Sequence, residues 1–223
     1  MNGALFFDLD GTLAETDHLH FLAMREVLAD EGVAIDWPIY RARILGGANA
    51  DIAARFLPHL PAACGRAALT RKEALYRARL LEDPARTPRA AGLTAFLAFA
   101  QKRGLRCALV SNAPRDNAQA TLTALGLVGR FDPIVLGDEL PRGKPDPLPY
   151  LEALRLTGAD PARSLAFEDS VTGVRAAVGA GLDTVGVGAS AEPEALIAAG
   201  ATLAARDFSD PRVTALTRER LGV

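Results

Sequence analysis

The chain has 223 residues, 49% hydrophobic and 23% charged, the composition of an ordinary globular protein long enough for one large domain or one domain with a smaller insertion. A formal net charge of -2 gives no general attraction to nucleic acid or to an anionic membrane, so neither is expected as a partner and any anion binding must come from local clusters. No segment approaches a membrane span, the N-terminus lacks the basic lead and apolar length of a signal peptide, and Cys64 and Cys107 have no companion at metal-ligand spacing, so a reducing cytoplasm is the expected setting.

The first apolar run, Ala4 to Phe7, reads as a strand and leads into Asp8-Leu9-Asp10-Gly11-Thr12. Asp8 and Asp10 alternate across Leu9, so on an extended chain both carboxylates point to one side, and two such close charges need a counter-cation. An acid pair at a strand end is by itself as readily a turn or cap as a catalyst. Gly11 permits a tight turn close to a ligand, and Thr12 with its backbone can donate to an anion. From about Asp17 to Asp83, Leu19, Leu22, Ala23 and Val27, then Ile52, Phe56 and Leu57, then Leu75 and Leu80 recur at helical spacing. They predict an all-helical insertion of roughly 65 residues over 17–83, bounded near Thr16 and Pro84 to Pro88, leaving 1–16 and 84–223 as an α/β domain.

Beyond the insertion, strand-like runs at Leu105 to Val110, Pro133 to Leu136, Ser164 to Phe167 and Thr184 to Val187 alternate with helical patterns at Leu93 to Arg103, Asn117 to Leu125 and Pro149 to Thr157, each ending before a glycine. With the first run they make five strands of a parallel sheet built from βα units. Such sheets bind ligands beyond the carboxyl ends of their strands. Ser111 and Asn112 follow the second run, Lys144 stands in the stiff loop Arg142-Gly143-Lys144-Pro145-Asp146-Pro147, and Glu168 and Asp169 follow the fourth. Each has an innocent reading as turn former, solvated lysine or helix-start acid. Together they change the argument, because four carboxylates at one edge repel unless a hard cation sits among them, and an oxygen-only donor set suits magnesium. With Lys144 and the amides near Ser111, that edge describes a pocket for a doubly charged phosphoryl group.

In this order, Asp8-Leu9-Asp10-Gly11-Thr12, Ser111-Asn112, Lys144-Pro145 and Glu168-Asp169 resemble the four motifs of the haloacid dehalogenase superfamily, over essentially the whole chain. The resemblance implies a Rossmann-like parallel sheet core with a small helical cap inserted after the first strand. It implies Asp8 as a nucleophile that forms an aspartyl-phosphate and Asp10 as general acid and base. Thr12, Ser111, Asn112 and Lys144 would surround the phosphate, and Asp8, Asp10, Glu168 and Asp169 the magnesium. Asp8, near its reference pKa of ~4, is expected to be ionised at neutral pH without help.

Within the superfamily, Asp10 to Thr16 with His20 beyond it is similar to the CbbY-like sugar-phosphate phosphatases and the β-phosphoglucomutases, with phosphoglycolate phosphatases in the same group. His20, Asn49, Arg71 and Lys72 are the cap candidates for substrate contact. In Gly46-Gly47-Ala48-Asn49, Asn49 stands where the mutases carry an arginine that grips a second phosphate, while Arg71 and Lys72 can supply cap charge. The expectation is magnesium-dependent hydrolysis of a small phosphorylated metabolite, a sugar, polyol or glycolate phosphate, by a monomer or weak dimer. A phosphosugar mutase and a phosphate-binding regulatory protein on the same fold are the alternatives.

Overall fold

A computed structural model describes residues 3–47, 49–188 and 190–223, with the side chain of Arg86 outside the description; Ala48, in the segment 46–49 named above, lies outside it as well. The chain divides into two compact units, Met1–Glu15 with Pro88–Val223, and Thr16–Thr87. In chain order, β1 (Ala4–Phe7) is followed by the helices of the second unit, α1 (Asp17–Asp30), α2 (Trp37–Arg43), α3 (Asn49–Phe56) and α4 (Ala62–Glu82). Then come α5 (Leu93–Lys102), β2 (Arg106–Ser111), α6 (Arg115–Ala124), β3 (Ile134–Leu136), α7 (Leu148–Thr157), β4 (Leu165–Glu168), α8 (Val171–Gly179), β5 (Asp183–Val187), α9 (Pro193–Ala198), β6 (Leu203–Ala205) and α10 (Pro211–Leu221).

The strands of the first unit form one parallel sheet in the order β3-β2-β1-β4-β5-β6. Strands buried on both faces must be apolar at every position, and β1 is buried throughout. Alternation divides its side chains between two layers. Leu5 and Phe7 join Phe96 of α5, Phe167 of β4, Val213 of α10 and Phe208 just before that helix, whereas Ala4 and Phe6 join Tyr150 of α7 and Ala176 and Ala177 of α8. Phe7 stacks on Phe167 at 4.8 Å between ring centres, which locks the two central strands together at their carboxyl ends.

The sheet has six strands, one more than the sequence reading gave. The addition, Leu203–Ala205, is a three-residue edge strand of leucine and alanine that pairs only with β5 among the described strands, so its pairing rather than its residues makes it a strand. Strands β2 and β4 also run one residue further than expected, so Ser111 and Glu168 end strands instead of opening loops.

The second unit is helical throughout. Phe21, Met24, Val27 and Leu28 give α1 one apolar stripe, packed with Ile52 of α3, Leu69 of α4 and Tyr40 of α2. Asp36 caps α2, its side chain accepting from the Ile39 amide at 2.8 Å.

Candidate active site

Strands β1 and β4 lie side by side at the centre of the sheet, where the connections on the two sides run in opposite directions and leave a crevice beyond the strand ends. Phe7 is in register with Phe167, and the Asp8 amide donates to the Phe167 carbonyl at 3.0 Å. The next residues, Asp8 and Glu168, are therefore neighbours on the face of Phe6 and Ala166. Asp8, Glu168 and Asp169 are buried, and one carboxylate oxygen from each lies within 4.8 Å of the others. The carboxylate of Asp10, expected to share in the cation, stands outside this trio; its backbone instead bridges to Ala14 across the turn that Gly11 makes at φ 83°.

Lys144 lies among these acids. Its Nζ donates to Asp8 Oδ1 at 2.7 Å, to Glu168 Oε1 at 2.5 Å and to the Val110 carbonyl at 2.6 Å, so all three ammonium hydrogens are used. Asn112 aims the lysine: its Oδ1 accepts from the Lys144 amide at 2.9 Å and its Nδ2 donates to the Lys144 carbonyl at 3.0 Å. Gly137 and Gly143 make this possible, since a Cβ on either would fall 2.3 or 2.6 Å from Asn112 Oδ1. Asn112, expected beside the phosphate, thus clamps the lysine loop.

Three carboxylates stand against one ammonium at this buried strand edge. Burial pushes the Asp8 carboxyl up to about 7, Lys144 pulling against it while Glu168 and Asp10 add repulsion. Burial thus lifts Asp8 above the ordinary carboxylate value expected from the sequence, and a further positive charge beside it would favour its ionised form. Burial by itself would lower Lys144, but Asp8 and Glu168 hold its pKa above the usual lysine range, so it remains an ammonium. Burial, then the charges of Glu168 and Asp8, raise the Tyr150 hydroxyl well above an ordinary phenol, so it stays a donor, to Glu168 Oε1 at 2.5 Å.

The trio fits a hard divalent cation. Glu168 Oε2 is buried and has no hydrogen-bond partner, an expensive state for a carboxylate oxygen with nothing to coordinate. Glycines leave the room: a Cβ on Gly173 would lie 1.8 Å from Glu168 Oε2, and one on Gly11 1.9 Å from Asp169 Oδ2. All donors are oxygens, the set that magnesium takes.

Two further expected residues line the same strand ends. Ser111 is buried, and its Oγ accepts from the Ala113 amide at 3.0 Å, a bond that leaves the hydroxyl hydrogen for another acceptor. Thr12 is fully buried, and its Oγ1 has no hydrogen-bond partner.

The helical unit gathers three of the four cap candidates. Lys72 Nζ lies 2.9 Å from His20 Nδ1, and because an ammonium only donates, Nδ1 accepts and a neutral His20 carries its proton on Nε2. Glu73 holds the group together, its Oε1 accepting from Lys72 Nζ at 3.1 Å and from Asn49 Nδ2 at 2.8 Å. The His20 ring stacks on Tyr76 at 3.7 Å. Arg71 is not part of this group and pairs with Asp30 at 2.9 Å on the exposed surface. Glu73 and Tyr76 were missed by sequence reasoning; Glu73 beside the apolar positions of α4 was the available signal. Among the described residues, no helix is long and apolar enough to cross a membrane.

A buried acid trio and a charge-balancing lysine at the switch point of a parallel sheet define an α/β enzyme that handles a charged group. The chain belongs to the haloacid dehalogenase-like hydrolases, matching that family over residues 3–181. It is 36% identical to the protein CbbY of Cereibacter sphaeroides, over 80% of this chain and 81% of that one. It is 32% identical to the validoxylamine A 7'-phosphate phosphatase of Streptomyces hygroscopicus subsp. limoneus, over 92% of this chain and 94% of that one. The crystal structure of CbbY from Rhodobacter sphaeroides with xylulose-(1,5)bisphosphate matches with a TM-score of 0.82 at 32% identity, covering 94% of this chain and 96% of that one.

Proposed function

We propose that this protein is a magnesium-dependent phosphatase that hydrolyses a small sugar, polyol or carboxylate phosphate through a phosphorylated Asp8. The observation that carries this reading is the buried trio of Asp8, Glu168 and Asp169 around Lys144, three carboxylates beside one ammonium that offer oxygen ligands for a further cation. Named relatives that are phosphatases of phosphorylated small molecules support it. Asp8, Glu168 and Asp169 would hold magnesium, which would supply charge neutralisation for a carboxylate and a phosphoryl group brought together.

An Asp8 carboxylate oxygen attacks phosphorus while the ester bond to the leaving alkoxide breaks, and Asp10 gives that alkoxide its proton. Asp10, now a carboxylate, takes a proton from water as the water oxygen bonds to phosphorus and the Asp8 ester bond breaks, releasing phosphate. The Lys144 ammonium offsets charge on the phosphoryl oxygens and the Ser111 hydroxyl donates a hydrogen bond to them, which requires Lys144 to exchange one of its present acceptors for substrate. The helical unit is read as the cap that chooses among substrates. A second phosphate gripped at position 49, as a mutase needs, is disfavoured because Asn49 carries no charge and its amide is engaged by Glu73.

A panel of phosphorylated metabolites, assayed for released phosphate with magnesium and with EDTA, tests the reading. Release is expected with magnesium and lost with EDTA, and Asp8→Asn is expected to abolish it. Release that survives EDTA, or that survives Asp8→Asn with deamidation excluded, defeats it. Conversion of a hexose 1-phosphate to the 6-phosphate without phosphate release establishes the mutase instead.

A further inference from the structure

The two oxygens of Glu168 have different surroundings. Oε1 accepts from Lys144 Nζ and from the Tyr150 hydroxyl, both at 2.5 Å, whereas Oε2 is buried without a partner against Gly173. Tyr150 reaches this carboxylate from α7, 18 residues earlier in the chain. Its ring is fully buried, edge-on to Phe6 at 6.5 Å and 5.2 Å from Lys144 Nζ. Packing on Phe6 requires the ring alone, and a phenylalanine would meet it. The hydroxyl instead spends its hydrogen on an oxygen that already has a charged donor.

We propose that Tyr150 is a positioning residue for divalent-cation binding, whose hydroxyl works with Lys144 to retain Glu168 Oε1 and so reserve Oε2 for the cation. The physical reason is competition inside one carboxylate. With Lys144 as the sole donor, Glu168 can turn about its last bond and present both oxygens to the ammonium, closing the pair on itself. A second donor, fixed by α7 and directed at Oε1, holds the plane of the carboxylate and prevents that closure. Residues that orient a metal-binding carboxylate in this way act through it without touching the metal.

This inference rests on the reading that the acid trio takes magnesium, and the test separates the two. Titration calorimetry with Mg2+ on the wild type and on Tyr150→Phe measures binding without turnover. Loss of an outer partner of this kind is expected to raise the Mg2+ dissociation constant by about 10- to 100-fold. In the phosphatase assay the Mg2+ concentration for half-activation should rise in step, while KM for substrate at saturating Mg2+ stays unchanged. A dissociation constant within about twofold of wild type refutes the positioning role and leaves the magnesium reading intact. A KM that rises in parallel with the half-activation concentration also refutes it, because it reports general loosening of the site. A wild type that binds no Mg2+ overturns both.

Discussion

Replacing Asp8 by asparagine should make the metal-free protein more stable at neutral and alkaline pH, although it removes the proposed nucleophile. The native fold lifts the Asp8 carboxyl from an ordinary 3.8 to about 7, chiefly by burial. Ionising it inside the native structure therefore costs ~4 kcal/mol relative to the unfolded chain, at ~1.4 kcal/mol per pH unit. Below about pH 4 both states hold the proton and nothing is lost. Between pH 4 and 7 the unfolded chain has released the proton and the native state still binds it, so stability falls as pH rises through that window and levels off above it. Asp8→Asn never ionises, keeps an oxygen for Lys144 and leaves Glu168 as the lysine's counter-charge. Its advantage should approach a few kcal/mol at pH 8, a rise in melting temperature on the order of 10 °C for a chain of this length. Unfolding of wild type and variant in EDTA from pH 5 to 8 measures this, and added Mg2+ should shrink the gap by stabilising the wild type. Parallel stability curves across that range would mean that Asp8 is not destabilised by burial, and the case for a required cation would fall with them.

Two smaller perturbations probe how the site is held. Gly173→Ala lies in α8, where alanine ordinarily gains ~1 kcal/mol over glycine, yet its Cβ would meet Glu168 Oε2 at 1.8 Å. The clash should win, lowering the denaturant midpoint and weakening Mg2+ binding; a raised midpoint contradicts the account of that cradle. Asn112→Ala removes two hydrogen bonds to the Lys144 backbone, worth ~1 kcal/mol each. It should lower stability by about 2 kcal/mol and reduce kcat, since it leaves the lysine poorly aimed. Wild-type kcat in that variant would show that the loop holds Lys144 without it.

Much of the architecture could be read directly because a parallel sheet covered on both faces demands unbroken apolar runs, and Ala4–Phe7 and Leu165–Glu168 supply them with acids at their ends. The edge strand Leu203–Ala205 escaped because two alanines and a leucine have no strand preference until β5 pairs with them. The stripe of α1 was read through Leu19, Leu22, Ala23 and Val27; Ala23 and Val27 are buried, but Phe21, Met24 and Leu28 complete the buried face, because several apolar faces are available on one helix and only the partner selects among them.

The four motifs and their order were carried by the sequence alone, since polar residues that end apolar strand runs are legible along the chain. Tertiary structure decided what each acid experiences. Lys144 reaches Asp8 across 136 residues of chain and Tyr150 reaches Glu168 from helix α7, so the raised Asp8 carboxyl, the fully engaged ammonium and the unpartnered Glu168 oxygen are properties of distance and burial. Electrostatic energy depends on separation and on excluded water, and neither is written in the order of residues.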